Sequence, residues 1–131
     1  MSTTHQWFLG ASTEDVIALS RVEQLNPVDW VKIRQHLHSY KLLDRASERQ
    51  LVEIGLTPHQ AHCLVQRERN VKEELRLMKS HGIALITIDD PSYPELLRQI
   101  DDPPLWLFCR GNISVLNFKT LTVVGTRKPT D

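Results

Sequence analysis

The stretch that decides the fold is residues 83–128, which read IALITIDDPSYPELLRQIDDPPLWLFCRGNISVLNFKTLTVVGTRK. It contains three short apolar runs, at 83–88, 105–109 and 121–124, separated by turn residues and by one short helical pattern at 93–100. Short apolar runs bounded by Gly, Pro, Asn and Asp are typical of buried strands in an α/β sheet. The stretch therefore predicts the beginning of a sheet, with a third strand at 121–124.

The loop after the third predicted strand carries residue types that bind phosphate. Glycine lets backbone N–H groups approach an anion, and arginine supplies a bidentate donor. Gly125 would allow the close approach, Thr126 would donate a hydrogen bond, Arg127 would pair with the phosphate, and Lys128 would assist. On its own, a Gly-x-Arg after a strand is more often a turn with a surface arginine, so this interpretation depends on the motifs before it.

The composition leaves no long-range attraction for nucleic acid. The chain has 131 residues, with 16 Lys and Arg against 16 Asp and Glu, so any such contact must come from a local cluster of charge. Two distant cysteines, Cys63 and Cys109, indicate no disulfide framework and suit a reducing cytoplasm. The first residues lack a signal-peptide pattern, and no apolar run approaches the roughly 20 residues that span a bilayer. We therefore expect a cytoplasmic protein with no membrane partner.

Residues 1–82 predict a helical domain, preceded by a loose leader that Trp7 and Phe8 can attach to the core. N-terminal capping signals stand at Ser12, at Asn26 followed by proline, and at Asp44. About five short helices are expected, at roughly 12–25, 27–40, 45–54, 58–70 and 71–82. Gly82 is the expected C-terminal cap of the last one.

A helix-hairpin-helix pattern lies at residues 51–61, LVEIGLTPHQA. That motif usually has Gly-apolar-Gly followed by alanine, and here Gly55, Leu56 and Ala61 match while Thr57 replaces the second glycine. Thr57 with Pro58 makes a good helix N-terminus but removes an N–H that could meet a DNA phosphate. A structural hairpin is favoured over one that keeps a phosphate contact.

Two other clusters have simpler explanations than function. His59, His62 and Cys63 share a helix face but lack an evident fourth ligand, so no metal is predicted. The basic residues of 67–79 alternate with Glu68, Glu73 and Glu74, a pattern typical of a solvated helix face. Trp106 and Phe108 alternate within an apolar strand and are predicted to be buried.

The order of motifs in the second half resembles the DNA-processing protein A (DprA/Smf) family. The resemblance rests on a strand, an acidic turn, Tyr-Pro-x-x-Leu at 93–97, Asp-Pro-Pro at 102–104, an aromatic strand ending Arg-Gly-Asn at 110–112, and a strand ending Val-Gly-Thr-Arg at 124–127. It implies a mixed α/β fold: a helical domain at 1–82, similar to sterile-alpha-motif or helix-hairpin-helix units, and at 83–131 the start of a Rossmann-like domain.

The resemblance also implies a function. Members of the family bind incoming single-stranded DNA during natural transformation, protect it and load the RecA recombinase onto it; they form homodimers. Their Gly-Ser/Thr-Arg loop lines the DNA pocket, which implies DNA contacts for Gly125, Thr126, Arg127 and, less directly, Lys128. No catalytic residue, cofactor or metal is implied, so the protein is not expected to be an enzyme.

Two other classes of function stay open at this point. Some Rossmann-like phosphoribohydrolases also begin with a strand ending Gly-Ser-Arg, but they lack the Tyr-Pro and Asp-Pro-Pro block. The helical domain could instead act as a protein-interaction adaptor. A complete Rossmann-like domain needs further strands and dimerisation elements after residue 131, so we expect this chain by itself to bind DNA weakly.

Overall fold

In a computed structural model, residues 6–128 of the chain form a mixed α/β fold, as the sequence predicts. Six α-helices come first: α1 (Thr13–Ser20), α2 (Pro27–His36), α3 (Tyr40–Arg45), α4 (Glu48–Glu53), α5 (Pro58–Val65) and α6 (Lys72–His81). They are followed by β1 (Ile83–Thr87), α7 (Glu95–Arg98), β2 (Trp106–Arg110) and a 3₁₀ helix (Ile113–Asn117). None of these helices is long and apolar enough to cross a membrane.

The helix ends follow the predicted capping chemistry at several positions. Ser12 and Asp15 form a reciprocal capping box at α1, and Asn26 and Asp29 form one at α2, where Pro27 takes the first helical position. Gly82 ends α6 in the left-handed conformation, with φ of 63°, and β1 begins at the next residue. The direct change from helix to strand at Gly82 is confirmed.

The predicted five-helix arrangement is wrong in the middle of the domain. α2 ends at His36, and the helix expected at 45–54 is replaced by the two short helices α3 and α4. Ser47 causes the break, because its side chain and that of Gln50 form a capping box that starts a new helix. Asp44 is therefore not a cap; it lies inside α3, where its carboxylate meets two arginines.

The two strands pair side by side in an antiparallel ladder. Ile83 lies opposite Arg110 and Thr87 opposite Trp106, and a further bond from Ile88 N–H to the Leu105 carbonyl, 2.8 Å, extends the pairing. One face of the ladder carries Ile86 and Ile88, which are buried. The sheet expected at 83–88 and 105–109 is confirmed within a residue or two.

The third predicted strand is absent from the part of the chain that the structure describes. Residues 121–124 pair with neither β1 nor β2, and Leu121, Val123 and Val124 are 87–90% exposed. β-branched residues favour a strand mainly because they fit a half-buried pleated surface. Here no described residue covers them, so their propensity alone does not produce a strand.

One large hydrophobic cluster joins the helical and sheet-forming parts. It contains Trp7, Phe8 and most of the buried helix residues, together with Ile88, Tyr93 and Leu105 from the second part. Trp30 of α2 meets Trp106 of β2 edge to face, with ring centroids 5.1 Å apart. Trp7 and Phe8 thus attach the leader to the core, as expected; the division into domains at 1–82 and 83–131 stays a prediction.

Candidate nucleic-acid interface

The four predicted DNA contacts lie on the surface. Gly125, Thr126, Arg127 and Lys128 are exposed, and within residues 6–128 none of them has a hydrogen bond or an ion pair to another side chain. A Cβ added at Gly125 would meet no atom within 4 Å. The Arg127 guanidinium is accessible to a ligand, although the expected strand before it is not formed.

The segment that carries these residues is fixed at its start by Asn117. The Asn117 side chain donates to the Ser92 carbonyl, 3.2 Å, and accepts from the Glu95 N–H, 3.2 Å. These bonds attach the 3₁₀ helix to the Tyr93-Pro94 turn. The sequence block from Tyr93 onward therefore sets where the basic segment leaves the folded part.

The Tyr93 and Asp-Pro-Pro motifs are structural. Tyr93 is 1% exposed, and its hydroxyl donates to the Pro104 carbonyl at 2.6 Å. Arg98 lies over the Tyr93 ring, 5.3 Å from its centroid, and donates to the Ile88 and Asp90 carbonyls. Burial raises the pKa of Tyr93, against the opposing charge of nearby arginines. The ring is too enclosed to stack on a base, which confirms the interpretation that it packs.

Phe108 is a surface residue, contrary to the prediction. The register places Phe108 and Arg110 on the same face of β2, and Phe108 is 49% exposed while Leu105 on the other face is buried. Arg110 is exposed, and in the described residues it forms no ion pair with Asp101 or Asp102. An exposed ring beside a free guanidinium suits single-stranded nucleic acid. From 105 to 110 the side chains of 105, 107 and 109 lie on one face and those of 106, 108 and 110 on the other. This alternation was the sequence signal for the exposure of Phe108.

The charge pattern sets this end of the chain apart. From Pro103 to Thr130 the sequence has no Asp or Glu but four cations, Arg110, Lys119, Arg127 and Lys128. Three of the five cations in the 67–79 stretch are paired internally: Arg67 and Arg69 both bind Asp44, and Arg76 binds Glu73. Residues 103–130 therefore carry a local positive charge that acidic residues do not offset, although the whole chain is neutral.

The helix-hairpin-helix turn has few free backbone N–H groups that could bind a phosphate. Gly55 has φ of 107°, as the hairpin requires, but the Thr57 N–H donates to Gln60 Oε1 and the Gln60 N–H to Thr57 Oγ1. Pro58 has no N–H. The Gln60 amide also donates to Asp29 at 2.9 Å, tying the turn to α2. This bonding pattern favours the structural hairpin.

The histidine cluster on α4 and α5 is also internally paired. The His62 ring lies 2.9 Å from Glu48, and Cys63 Sγ lies 3.7 Å from His59 Nε2. Within residues 6–128 no three His, Cys, Asp or Glu side chains are grouped so as to hold a metal ion.

Comparisons with known proteins agree with the motif order. Residues 84–131 match the sequence model of the family described as DNA recombination-mediator protein A. Protein Smf of Synechocystis sp. is 29% identical over 125 residues, which cover 88% of this chain and 31% of that protein. DNA processing protein DprA of Bacillus subtilis is 39% identical over 57 residues, which cover 43% of this chain and 19% of that protein. No solved structure matches significantly.

These matches relate this mixed α/β protein to the class of DNA-processing proteins. Residues 84–131, the sheet-forming part of the chain, match the family of DNA recombination-mediator protein A, and the two relatives extend the similarity to the Smf and DprA proteins. The chain spans about a third or less of the length of these curated relatives.

Proposed function

We propose that this chain is part of a cytoplasmic single-stranded DNA-binding recombination mediator. In this proposal the whole protein protects incoming DNA during natural transformation, loads RecA onto it and acts as a homodimer. The similarity of residues 84–131 to the recombination-mediator family, and of the chain to the Smf and DprA proteins, supports the recombination role. The DNA, RecA and the second copy are the proposed partners, and no catalytic step is assigned.

The observation that carries the proposal is the acid-free basic segment. Arg110, Lys119, Arg127 and Lys128 are all exposed, and within the described residues no carboxylate lies within ion-pair distance of them. When unpaired protein cations neutralise DNA phosphates, the counterions condensed on the DNA are released. This release is the main source of sequence-independent affinity. In this proposal Arg127 binds a phosphate bidentately, Lys128 adds a second charge, and Gly125 and Thr126 bring the backbone and a hydroxyl close.

Phe108 gives the proposed interface a stacking group. Its half-exposed ring lies on the same strand face as Arg110, so a base could stack there while the guanidinium meets the adjacent phosphate. Stacking of one base on an aromatic side chain is worth about 1–3 kcal/mol and does not depend on sequence. Such a contact suits a mediator that must accept any incoming strand.

The magnitude of binding by this chain alone should be small. A charge-assisted hydrogen bond contributes roughly 1.5–3 kcal/mol net. Two such bonds give at most about 6 kcal/mol and one stacked base at most about 3, a gross maximum of about 9 kcal/mol. A micromolar complex needs about 8 kcal/mol after the association cost, about 4 kcal/mol or more, has been subtracted. We therefore expect a dissociation constant weaker than micromolar at physiological salt.

The test is fluorescence anisotropy with a labelled oligothymidylate at low and physiological salt. Arg127→Gln should weaken the low-salt binding at least about tenfold, since one charge-assisted contact is lost. Arg45→Gln is the matched control, because Arg45 is an exposed arginine of the helical part without an ion pair in the described residues. Equal losses for Arg127→Gln and Arg45→Gln would contradict the assigned site, and sub-micromolar affinity at physiological salt would contradict the estimate.

A further inference from the structure

A cleft of about 390 Å³ lies between α2 and the segment that leads into β2. Val31 of α2 and Ile100 and Pro103 of the later segment give it apolar walls. Arg34 is the only Lys or Arg among its lining residues. This cleft is separate from the basic segment, so an inference about it does not rest on the proposed DNA contacts.

The Arg34 guanidinium has no partner in the part of the chain that the structure describes. It is half-buried, and no hydrogen bond or ion pair within residues 6–128 involves its side chain. Burial lowers the pKa of Arg34, against the opposing charges of Asp89 and Tyr93. By contrast, the enclosed guanidiniums of Arg67 and Arg98 each bind protein acceptors. None of the Arg34 nitrogens is among the fully buried unpaired atoms of the described structure, so the guanidinium reaches solvent and can offer its donors to a ligand.

Arg34 does not serve as the cap of α2. The Ile33 carbonyl accepts from the Leu37 N–H at 2.7 Å, and the Leu37 carbonyl accepts from Trp7 Nε1 at 2.6 Å. These two carbonyls at the helix end are therefore served by donors other than Arg34. Asp89, a half-buried carboxylate whose charge acts on Arg34, already accepts from the Phe8 N–H at 2.6 Å.

The shape and charge of the cleft fit one carboxylate on an apolar stem. A guanidinium matches a planar carboxylate bidentately, and the apolar walls can cover the neighbouring side chain of a peptide. Asp101 lines the rim and Asp102 follows it in sequence, so a polyanion such as DNA would meet like charge there. The apolar walls and the acidic rim thus favour a peptide over a nucleic acid.

We propose that the Arg34 cleft docks an acidic side chain of a partner polypeptide, with an apolar neighbour of that side chain packed on Val31, Ile100 and Pro103. The juxtaposition of an unpaired guanidinium with apolar walls assigns this surface to protein recognition. It gives the helical half a role distinct from DNA binding.

The experiment is an NMR titration of the ¹⁵N-labelled chain with acetyl-Leu-Asp-Leu-amide and with acetyl-Leu-Asn-Leu-amide. The Nε–Hε signal of Arg34 reports directly on the guanidinium. We expect a saturable shift with the Asp peptide and none with the Asn peptide. Arg34→Gln should weaken binding at least about tenfold, because a charge-assisted bond is lost. Arg45→Gln, which removes the same charge elsewhere on the surface, should leave it unchanged.

Three results would overturn the proposal. The first is no Arg34 shift with the Asp peptide up to about 10 mM, the range of the weakest useful affinities. The second is an equal response to inorganic phosphate, which would indicate a general anion site. The third is displacement of the Asp peptide from Arg34 by oligothymidylate, which would assign the cleft to DNA. All three results are read from the Nε–Hε signal of Arg34 in the wild-type chain, so they do not depend on the folding of Arg34→Gln.

Discussion

The change Asp44→Asn should destabilise the fold by about 2 kcal/mol, because it leaves a buried arginine without its counter-charge. The side chain of Arg67 is 3% exposed, and its NH2 group donates to Asp44 Oδ1 at 2.7 Å. Arg69 reaches the same oxygen at 2.9 Å from a half-exposed position. In the described structure Arg67 Nε is buried and has no hydrogen-bond partner, so no acceptor on that side of the guanidinium can compensate for the loss of Asp44.

The magnitude follows from the two bonds. Asparagine keeps the acceptor oxygen but removes the negative charge, so the bond from the Arg67 guanidinium loses its ion-pair component, about 1–1.5 kcal/mol. The exposed Arg69 pair adds up to about 0.5 kcal/mol. The Asp44 side chain is 37% exposed, so water limits the cost to well below the 3–5 kcal/mol typical of fully buried pairs.

Urea unfolding followed by tryptophan fluorescence measures this loss. Glu53→Gln is the matched control, since its pair with Arg49, 3.1 Å, joins two exposed side chains and should matter by less than about 0.5 kcal/mol. Burial alone would raise the pKa of Asp44, but Arg69 and Arg67 outweigh it and lower the pKa. The stabilisation is thus present above the unfolded pKa of about 3.9 and is lost as pH falls through the folded value.

The pH dependence gives the result that would refute this reasoning. Wild type and Asp44→Asn should converge in stability at low pH, once the wild-type carboxylate is protonated. A cost at pH 7 no larger than that of Glu53→Gln, or one unchanged at low pH, would show that the charge of Asp44 does not support Arg67.

Three further changes test the packing and the hairpin. Tyr93→Phe should cost about 1–2 kcal/mol in urea unfolding, because it leaves the Pro104 carbonyl without its donor; an unchanged midpoint would contradict this. Asp89→Asn should leave the melting temperature equal or higher at pH 7, since the amide can still accept from the Phe8 N–H while burial, which raises the pKa of Asp89, penalises the charge; a clear loss would show that the charge is needed. Thr57→Ala should cost about 1 kcal/mol of capping energy yet leave oligothymidylate binding unchanged; reduced binding would restore a DNA role for the hairpin.

Local chemistry made much of the fold predictable. The caps at Ser12, Asn26, Thr57 and Gly82 depend on residues within one turn, so sequence spacing was sufficient to find them. The pairing of the two apolar runs followed from their length and turn residues. The extra helix start at Ser47 was missed, although the spacing of Ser47 and Gln50 is the local signal of a capping box.

Features that depend on tertiary partners were not predictable. The segment 121–124 has strand-forming residues, but a strand also needs a neighbour, and the sequence does not supply that information. The exposure of Phe108 depends on which face of β2 is covered. The contact between Asp44 and Arg67 joins residues 23 positions apart, and no local sequence pattern predicts it.

The candidate sites also include one feature that local sequence predicts and one that depends on tertiary packing. The basic loop at 125–128 was identified from motif order, and its exposure is compatible with ligand access. The unpaired state of Arg34 emerged only from the packing of α2 against the segment before β2. Long-range arrangement, rather than composition, decides which cations are free.

The salt dependence of oligothymidylate binding tests the central claim most directly. Each phosphate neutralised on a single strand contributes about −0.7 to the slope of log affinity against log salt. With Arg110, Lys119, Arg127 and Lys128 engaged, we predict a slope of about −2 to −3, reduced in size by about 0.7 for Arg127→Gln and unchanged for Arg45→Gln. A slope that Arg127→Gln leaves unaltered would contradict the account, because the guanidinium would then not be meeting a phosphate.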